Sequence, residues 1–247
     1  MLDTDDSTQG FFDHKDSVFT IALSPAMPDI VLTGDGDNQA FVWEIATGNR
    51  RFHLSGHTDS VIDGGFSPDG KFIATASMDA TVRVYNTADG SLRHSLEGPA
   101  KELEWMEWHP AGPVIAAGSA DETVWMWNAD TGACMAVFSG QSGSVTAGAW
   151  TSDGKTLITT GESGDLIVWN PKSGEAAIHL KGQRRNRERL AVSAWNRSDE
   201  GCCTLEPLHL LIHLFSVWVL FCSLASIGFD FAHRYSRRTH HLLRHSP

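Results

Sequence analysis

Cysteine is scarce. Four occur in 247 residues: Cys134, then Cys202, Cys203 and Cys222 close to the far end. No pair stands at zinc-ligand spacing and no disulfide framework suggests itself, so a reducing, intracellular setting is the default expectation, cytoplasmic with a nuclear alternative. Positive charge is also sparse before residue 184. Residues 1–183 hold 10 Lys+Arg against 25 Asp+Glu, a net of −15, whereas residues 184–247 hold 9 Arg, no Lys and 5 acids, a net of +4. That balance argues against nucleic acid as a direct ligand and for a basic protein partner. The opening MLDTDDSTQG is polar and acidic, unlike a signal peptide, and residues 1–10 are expected to be disordered.

Glycine and tryptophan are plentiful, at 23 and 9. They are not scattered. The stretch Gly56–Asn86, GHTDSVIDGGFSPDGKFIATASMDATVRVYN, sets a pattern that returns every 42 residues. Its closing aromatics are Trp43, Tyr85, Trp127 and Trp169; Gly48, Gly90, Gly132 and Gly174 keep the same step, as do Gly56, Gly98, Gly140 and Gly182. Ser67-Pro68, His109-Pro110 and Thr151-Ser152 follow suit. A step of this length with Gly-His and Trp marks is the signature of propeller blades.

Each unit reads as four short antiparallel strands. In the second they fall at Val61–Ser67, Lys71–Ser77, Thr81–Asn86 and Leu92–Leu96, separated by Pro68-Asp69-Gly70, Met78-Asp79-Ala80 and Ala88-Asp89-Gly90. Residues 11–183 therefore divide into four blades, at about 17–54, 60–96, 102–138 and 144–180. The expected fold is all-β: a β-propeller of which four blades are present as an open array, followed by a tail that is not propeller. Phe11 and Phe12 are expected to form a strand that would complete a last blade.

With these landmarks the chain is identified as a member of the WD40 repeats, although the Asp after Trp is replaced by Glu44, Asn86, Asn128 and Asn170. The resemblance implies a buried hydrogen-bonded set in each blade: histidine, strand hydroxyl, turn aspartate and tryptophan. The matching residues are His14, Thr33, Asp37 and Trp43 in the first blade, and His57, Thr75, Asp79 and Tyr85 in the second. Pro99 and Ala117 leave only Asp121 and Trp127 in the third, and the fourth has Gln141, Thr159, Ser163 and Trp169. The set thus looks degraded in blades three and four. The segment ELEWMEWHP at 102–110, with DHKDSVF, AFVWEIATG and the acidic start, further resembles the angio-associated migratory cell protein family. That family includes a yeast chaperone of a basic ribosomal protein and animal proteins linked to cell migration. The resemblance implies a non-enzymatic scaffold or chaperone for a basic client, with a role in ribosome biogenesis.

His57 with Asp79, or His14 with Asp37, invites comparison with a hydrolase triad. A catalytic set occurs once, whereas this one recurs at a fixed step, so a satisfied polar network is the better reading and no catalytic residue is expected. Thr33–Asn38 resembles the start of a calcium loop, but position twelve would be Ala46; it reads as a turn, and no metal or cofactor is expected. Trp108 aligns with Phe66 and Trp150 and reads as core. Trp105 aligns with Asp63 and Ala147, which makes it a candidate partner contact. Asp16, Asp35, Asp59, Glu102 and Glu162 fall in loops that emerge on one propeller face, and together they are expected to form a negative partner-binding surface.

After Gln183 the landmarks stop. Residues 208–229 contain no Asp, Glu, Lys or Arg, a length that fits a membrane span, with arginines on both sides. Two explanations of residues 184–247 stay open: a membrane anchor, which would make the chain a membrane-bound adaptor, or a misread gene product fused to truncated repeats.

Overall fold

The computed structural model describes residues 10–181. The apolar run 208–229 and the rest of the tail lie outside the described residues, as do residues 1–9. Sixteen strands form four antiparallel sheets, each in simple sequential order. The first sheet holds β1 (Val18–Leu23), β2 (Ile30–Asp35), β3 (Ala40–Glu44) and β4 (Arg50–Leu54). The second holds β5 (Val61–Phe66), β6 (Phe72–Ser77), β7 (Val82–Asn86) and β8 (Leu92–Leu96). The third holds β9 (Leu103–Trp108), β10 (Val114–Ser119), β11 (Thr123–Asn128) and β12 (Cys134–Ser139). The fourth holds β13 (Val145–Trp150), β14 (Leu157–Gly161), β15 (Leu166–Trp169) and β16 (Ala176–Leu180).

The strands start and stop one residue inside the sequence-based bounds where a turn residue takes over. Ser67 leaves the strand because its hydroxyl donates to Asp69 and accepts the Phe72 N–H. Thr81 likewise turns its hydroxyl onto Asp79. The 42-residue step is visible in backbone geometry too. Gly48, Gly90, Gly132 and Gly174 have φ of 71°, 72°, 75° and 75°, a conformation that a Cβ resists. The third-to-fourth strand pairing shifts register at Val42/Trp43, Val84/Tyr85, Met126/Trp127 and Val168/Trp169, a repeated irregularity of the kind that increases twist.

Alternation along the strands gives each sheet two working faces. Leu32, Ala40, Val42 and Leu54 point to the second sheet and meet Val61, Phe66, Ile73 and Tyr85. One step on, Ala74, Ala76, Val82, Val84 and Leu96 meet Leu103, Met106, Ile115 and Trp127. A further step brings Ala116, Val124, Met126 and Phe138 against Val145, Trp150, Leu157 and Trp169. Contacts between sheets run first to second, second to third and third to fourth, with the first strand of each at the junction, so the described row does not close.

The segment before β1 departs from expectation. Residues 10–17 form no strand; Phe11 instead tilts onto Trp43, ring centroids 5.1 Å apart, and covers part of the first sheet's outer face with Val31 and Phe41. A large ring on an otherwise uncovered apolar cluster outweighs an edge pairing for which no partner strand is present among the described residues.

Candidate protein-interaction surface

Every sheet turns its chain the same way, so the loops divide into two groups. Loops joining first to second and third to fourth strands lie at one end of the sheets. Loops joining second to third strands, and those leading into first strands, lie at the other. Residues 10–17, 36–39, 55–60, 78–81, 97–102, 120–122, 140–144 and 162–165 make up this second end. They carry eleven carboxylates, eight of them on exposed residues, against two lysines, Lys15 and Lys101. Asp16, Asp59, Glu102 and Glu162 are all exposed there, and Asp16 and Asp59 each accept the N–H of the following serine.

Two acids exchange roles relative to expectation. Asp35 is fully buried, so it belongs to no exposed surface, whereas Asp37 is exposed and its carboxylate takes no part in the network. His14 Nδ1 lies 2.5 Å from Asp35 Oδ2, and its Nε2 lies 2.6 Å from Thr33 Oγ1, which accepts the Trp43 indole N–H at 2.8 Å. Asp35 Oδ1 accepts the N–H groups of Asp37 and Gln39. One carboxylate thus does what Ser77 and Asp79 share in the second sheet. The reason is local: Asp35 ends β2 where the later units have Ser77 and Ser119.

The second sheet matches the expected set more closely. His57 Nδ1 is 2.9 Å from Asp79 Oδ2, and Nε2 is 2.8 Å from Thr75 Oγ1. Burial alone would push Asp79 up, but hydrogen bonds from His57, Thr81 and the Thr58 N–H outweigh it and hold the carboxyl far below its usual range. Tyr85, buried beside Thr75, donates its hydroxyl to the Ser55 carbonyl, and burial raises its pKa. In the third sheet Asp121 accepts the Ala100 and Thr123 N–H groups, while Trp127 Nε1 is buried without an acceptor because Ala117 stands in the hydroxyl's place.

The fourth sheet corrects the expectation of a degraded set. Trp169 donates to Thr159 at 2.8 Å, Thr159 donates to Gln141 Oε1 at 3.2 Å, and Gln141 Nε2 donates to the Asp165 carbonyl at 2.9 Å. An amide accepts at one atom and donates from another, as a neutral imidazole does, so Gln141 replaces histidine with the chain of donors intact. A backbone carbonyl replaces the aspartate, and Ser163 is not needed.

Trp105 is not a surface contact. It is 5% exposed in the core between the third and fourth sheets, opposite Gly118 in β10 and against Gly148 in β13. A Cβ on Gly148 would sit 2.3 Å from its ring. Those two glycines were the available sequence signal for a buried large ring. Trp108, read as core, is partly buried against the second and third sheets.

Asp63 and Glu107, both on first strands, were missed. Asp63 Oδ2 accepts the Met106 N–H of the next sheet at 3.0 Å, and Oδ1 accepts the Gly64 N–H and the Thr20 hydroxyl. Glu107 accepts the Trp150 N–H of the next sheet in turn; burial pushes its carboxyl up to about 7, against that hydrogen bond and with the help of Asp63's charge. Each acid stands 43 residues before the amide it caps, a spacing readable only once the sheets are known to neighbour one another. Among the described residues no three His, Cys, Asp or Glu side chains converge as a metal site, and no helix is long and apolar enough to cross a membrane.

The WD40 family model, described as WD domain, G-beta repeat, matches residues 48–86, 90–128 and 132–170. Each matched unit begins at the turn glycine before one sheet's fourth strand and ends with the next sheet's third, so sequence repeat and sheet interlock. An uncharacterised WD repeat-containing protein of Schizosaccharomyces pombe is 43% identical over 70 residues, 28% of this chain and 18% of that protein. Human angio-associated migratory cell protein is 39% identical over 79 residues, 32% of this chain and 18% of its own length. Ribosome assembly protein SQT1 of Saccharomyces cerevisiae is 38% identical over 84 residues, 33% and 19%. The matched stretches span less than a fifth of each of these relatives. Fixed step, interlocked sheets and family match agree: within residues 48–170 this chain carries three WD40 repeats.

Proposed function

We propose that this chain is a non-enzymatic interaction scaffold that holds a basic segment of a client protein on its acidic loop end, in the manner of a ribosomal-protein chaperone in the cytoplasm or nucleus. WD40 repeats imply protein binding in general; the finer reading rests on one observation, the eight exposed carboxylates set against Lys15 and Lys101 at one end of the sheets. Likeness to a protein named for ribosome assembly, SQT1, supports a basic client, since proteins that bind ribosomal RNA are themselves basic. The histidine, threonine and carboxylate clusters support structure rather than catalysis, because each recurs at the same place in successive sheets.

The test is binding of a fluorescent lysine- and arginine-rich peptide to the full chain. Affinity should fall steeply with salt as screening shortens the interaction range to about 8 Å at physiological strength. Asp59→Lys with Glu102→Lys should weaken it roughly tenfold or more. Unchanged affinity in that variant would overturn the reading.

A further inference from the structure

The opposite end of the sheets carries a feature of opposite character. An open groove of about 620 Å³ runs beneath the second sheet where it meets its two neighbours. Its apolar floor is Met27 and Phe72, and Arg51, Lys71 and Arg93 stand around it. Three of the ten cations before residue 184 thus line one groove in a region of net charge −15.

The three are held differently. Arg93 donates to Asp130 at 2.6 Å while its guanidinium carbon lies 5.1 Å from the centre of the Phe72 ring, so it is held over that ring. Among the described residues Lys71 meets only the exposed Asp69, two residues away. Arg51 is exposed, rests against Phe52 at 5.3 Å and makes no ion pair among the described residues. Of the two acids on the rim, Asp130 is engaged by Arg93, and Asp89 by the N–H and hydroxyl of Ser91. The groove therefore offers an unpaired guanidinium and a weakly held ammonium above an apolar floor.

We propose that this groove docks an acidic segment of a protein partner, one that sets an apolar side chain on Met27, beside the Phe72 ring that Arg93 covers, and carboxylates against Arg51 and Lys71. A guanidinium presents a planar fork that suits a carboxylate, and burying an apolar side chain between such pairs supplies binding that charge alone does not. The apolar lining calls for an apolar side chain between the anionic groups, which a peptide supplies and a phosphate backbone does not, so a peptide is the occupant. The inference is independent of the basic client: it uses other residues, at the other end of the sheets.

The probe is a fluorescein-labelled dodecapeptide rich in Asp and Glu with one central Phe, titrated against the full chain by anisotropy at low salt. Saturable binding is expected. Arg51→Glu with Lys71→Glu, both exposed and outside the core, should weaken it at least about tenfold. Replacing the peptide's Phe by Ser should also weaken it several-fold, whereas Asp59→Lys with Glu102→Lys should leave it within about twofold. No binding at about 1 mM, or equal affinity in the Arg51→Glu/Lys71→Glu variant, overturns the proposal. So does an oligoadenylate of matched charge that binds as tightly as the peptide.

Discussion

Trp43 and Trp127 stand at equivalent places in the first and third sheets, and only Trp43 has a partner for its indole N–H. Both are about equally buried. Replacement by Phe therefore removes similar volume from each, but a made hydrogen bond from one and an orphaned donor from the other. Trp43→Phe should cost about 1–2 kcal/mol more than Trp127→Phe, measured by denaturant midpoint on the full chain. Equal shifts would mean that the bond to Thr33 contributes nothing. At this scale the sequence was legible wherever the residue type and the frame agreed, as with His57, Thr75 and Asp79. It misled where two residues of one type competed. Asp35 and Asp37 are both turn aspartates by spacing; Asp35, which ends β2, is the buried one, and it meets His14, which itself stands one residue out of frame. Gln141 shows a different limit: the residue type changes while the hydrogen-bonding role of the histidine is kept.

Among the elements, the first strands differ most from what alternation predicts. They sit at the sheet junctions, and their polar residues reach backbone groups of the next sheet rather than solvent, as Asp63 and Glu107 show. Glu107 makes that contact at a cost. Its carboxyl is raised from 4.5 to about 7, so the folded state holds a proton that the unfolded chain has already lost. The penalty is absent below about pH 4.5, grows as pH rises and is complete above about 7, reaching at most roughly 3 kcal/mol. Asp79, with its carboxyl held low, acts in the other direction and only at more acidic pH, where stability is lost as the carboxylate is protonated. Stability of the native chain should thus fall from pH 5 to pH 8. Glu107→Gln keeps an acceptor for the Trp150 N–H without the charge, and it should flatten that slope and raise the melting temperature at pH 8 but not at pH 5. A parallel slope in the variant would assign the pH dependence elsewhere. The strands themselves and their turns were readable from Gly, Asp and Pro placement; the caps between sheets were not, because they depend on which strands are neighbours.

For the whole molecule, charge and apolar surface make separable contributions. The acidic loop end and the basic groove lie at opposite ends of the same sheets, which a net charge of −11 conceals. The repeat step identified the propeller architecture, but the charged residues around the groove come from three different units, Arg51 from the first, Lys71 and Arg93 from the second and Asp130 from the third. Perpendicular to that axis, the first sheet leaves part of a face uncovered among the described residues. Phe19, Ile21 and Leu23 are 50%, 72% and 44% exposed along β1, while Thr20 on the same strand is buried toward the second sheet. At the other extreme, Ile178 and Leu180 on β16 are 51% and 58% exposed. Uncovered apolar faces of this kind lead to association, and an unpaired outer strand adds an edge for further pairing. The full chain should therefore form concentration-dependent assemblies in light scattering. Phe19→Lys with Ile21→Lys should reduce them, since both side chains are exposed and contribute little to the folded core. Salt separates this association from client binding. Screening weakens the pull of the acidic end on a basic peptide, but it also relieves repulsion between chains of like charge and leaves apolar attraction intact. Assembly should thus rise with salt over the range in which peptide affinity falls. Assembly that fell with salt, or was untouched by the two lysines, would place the contact on charged surface instead of on β1.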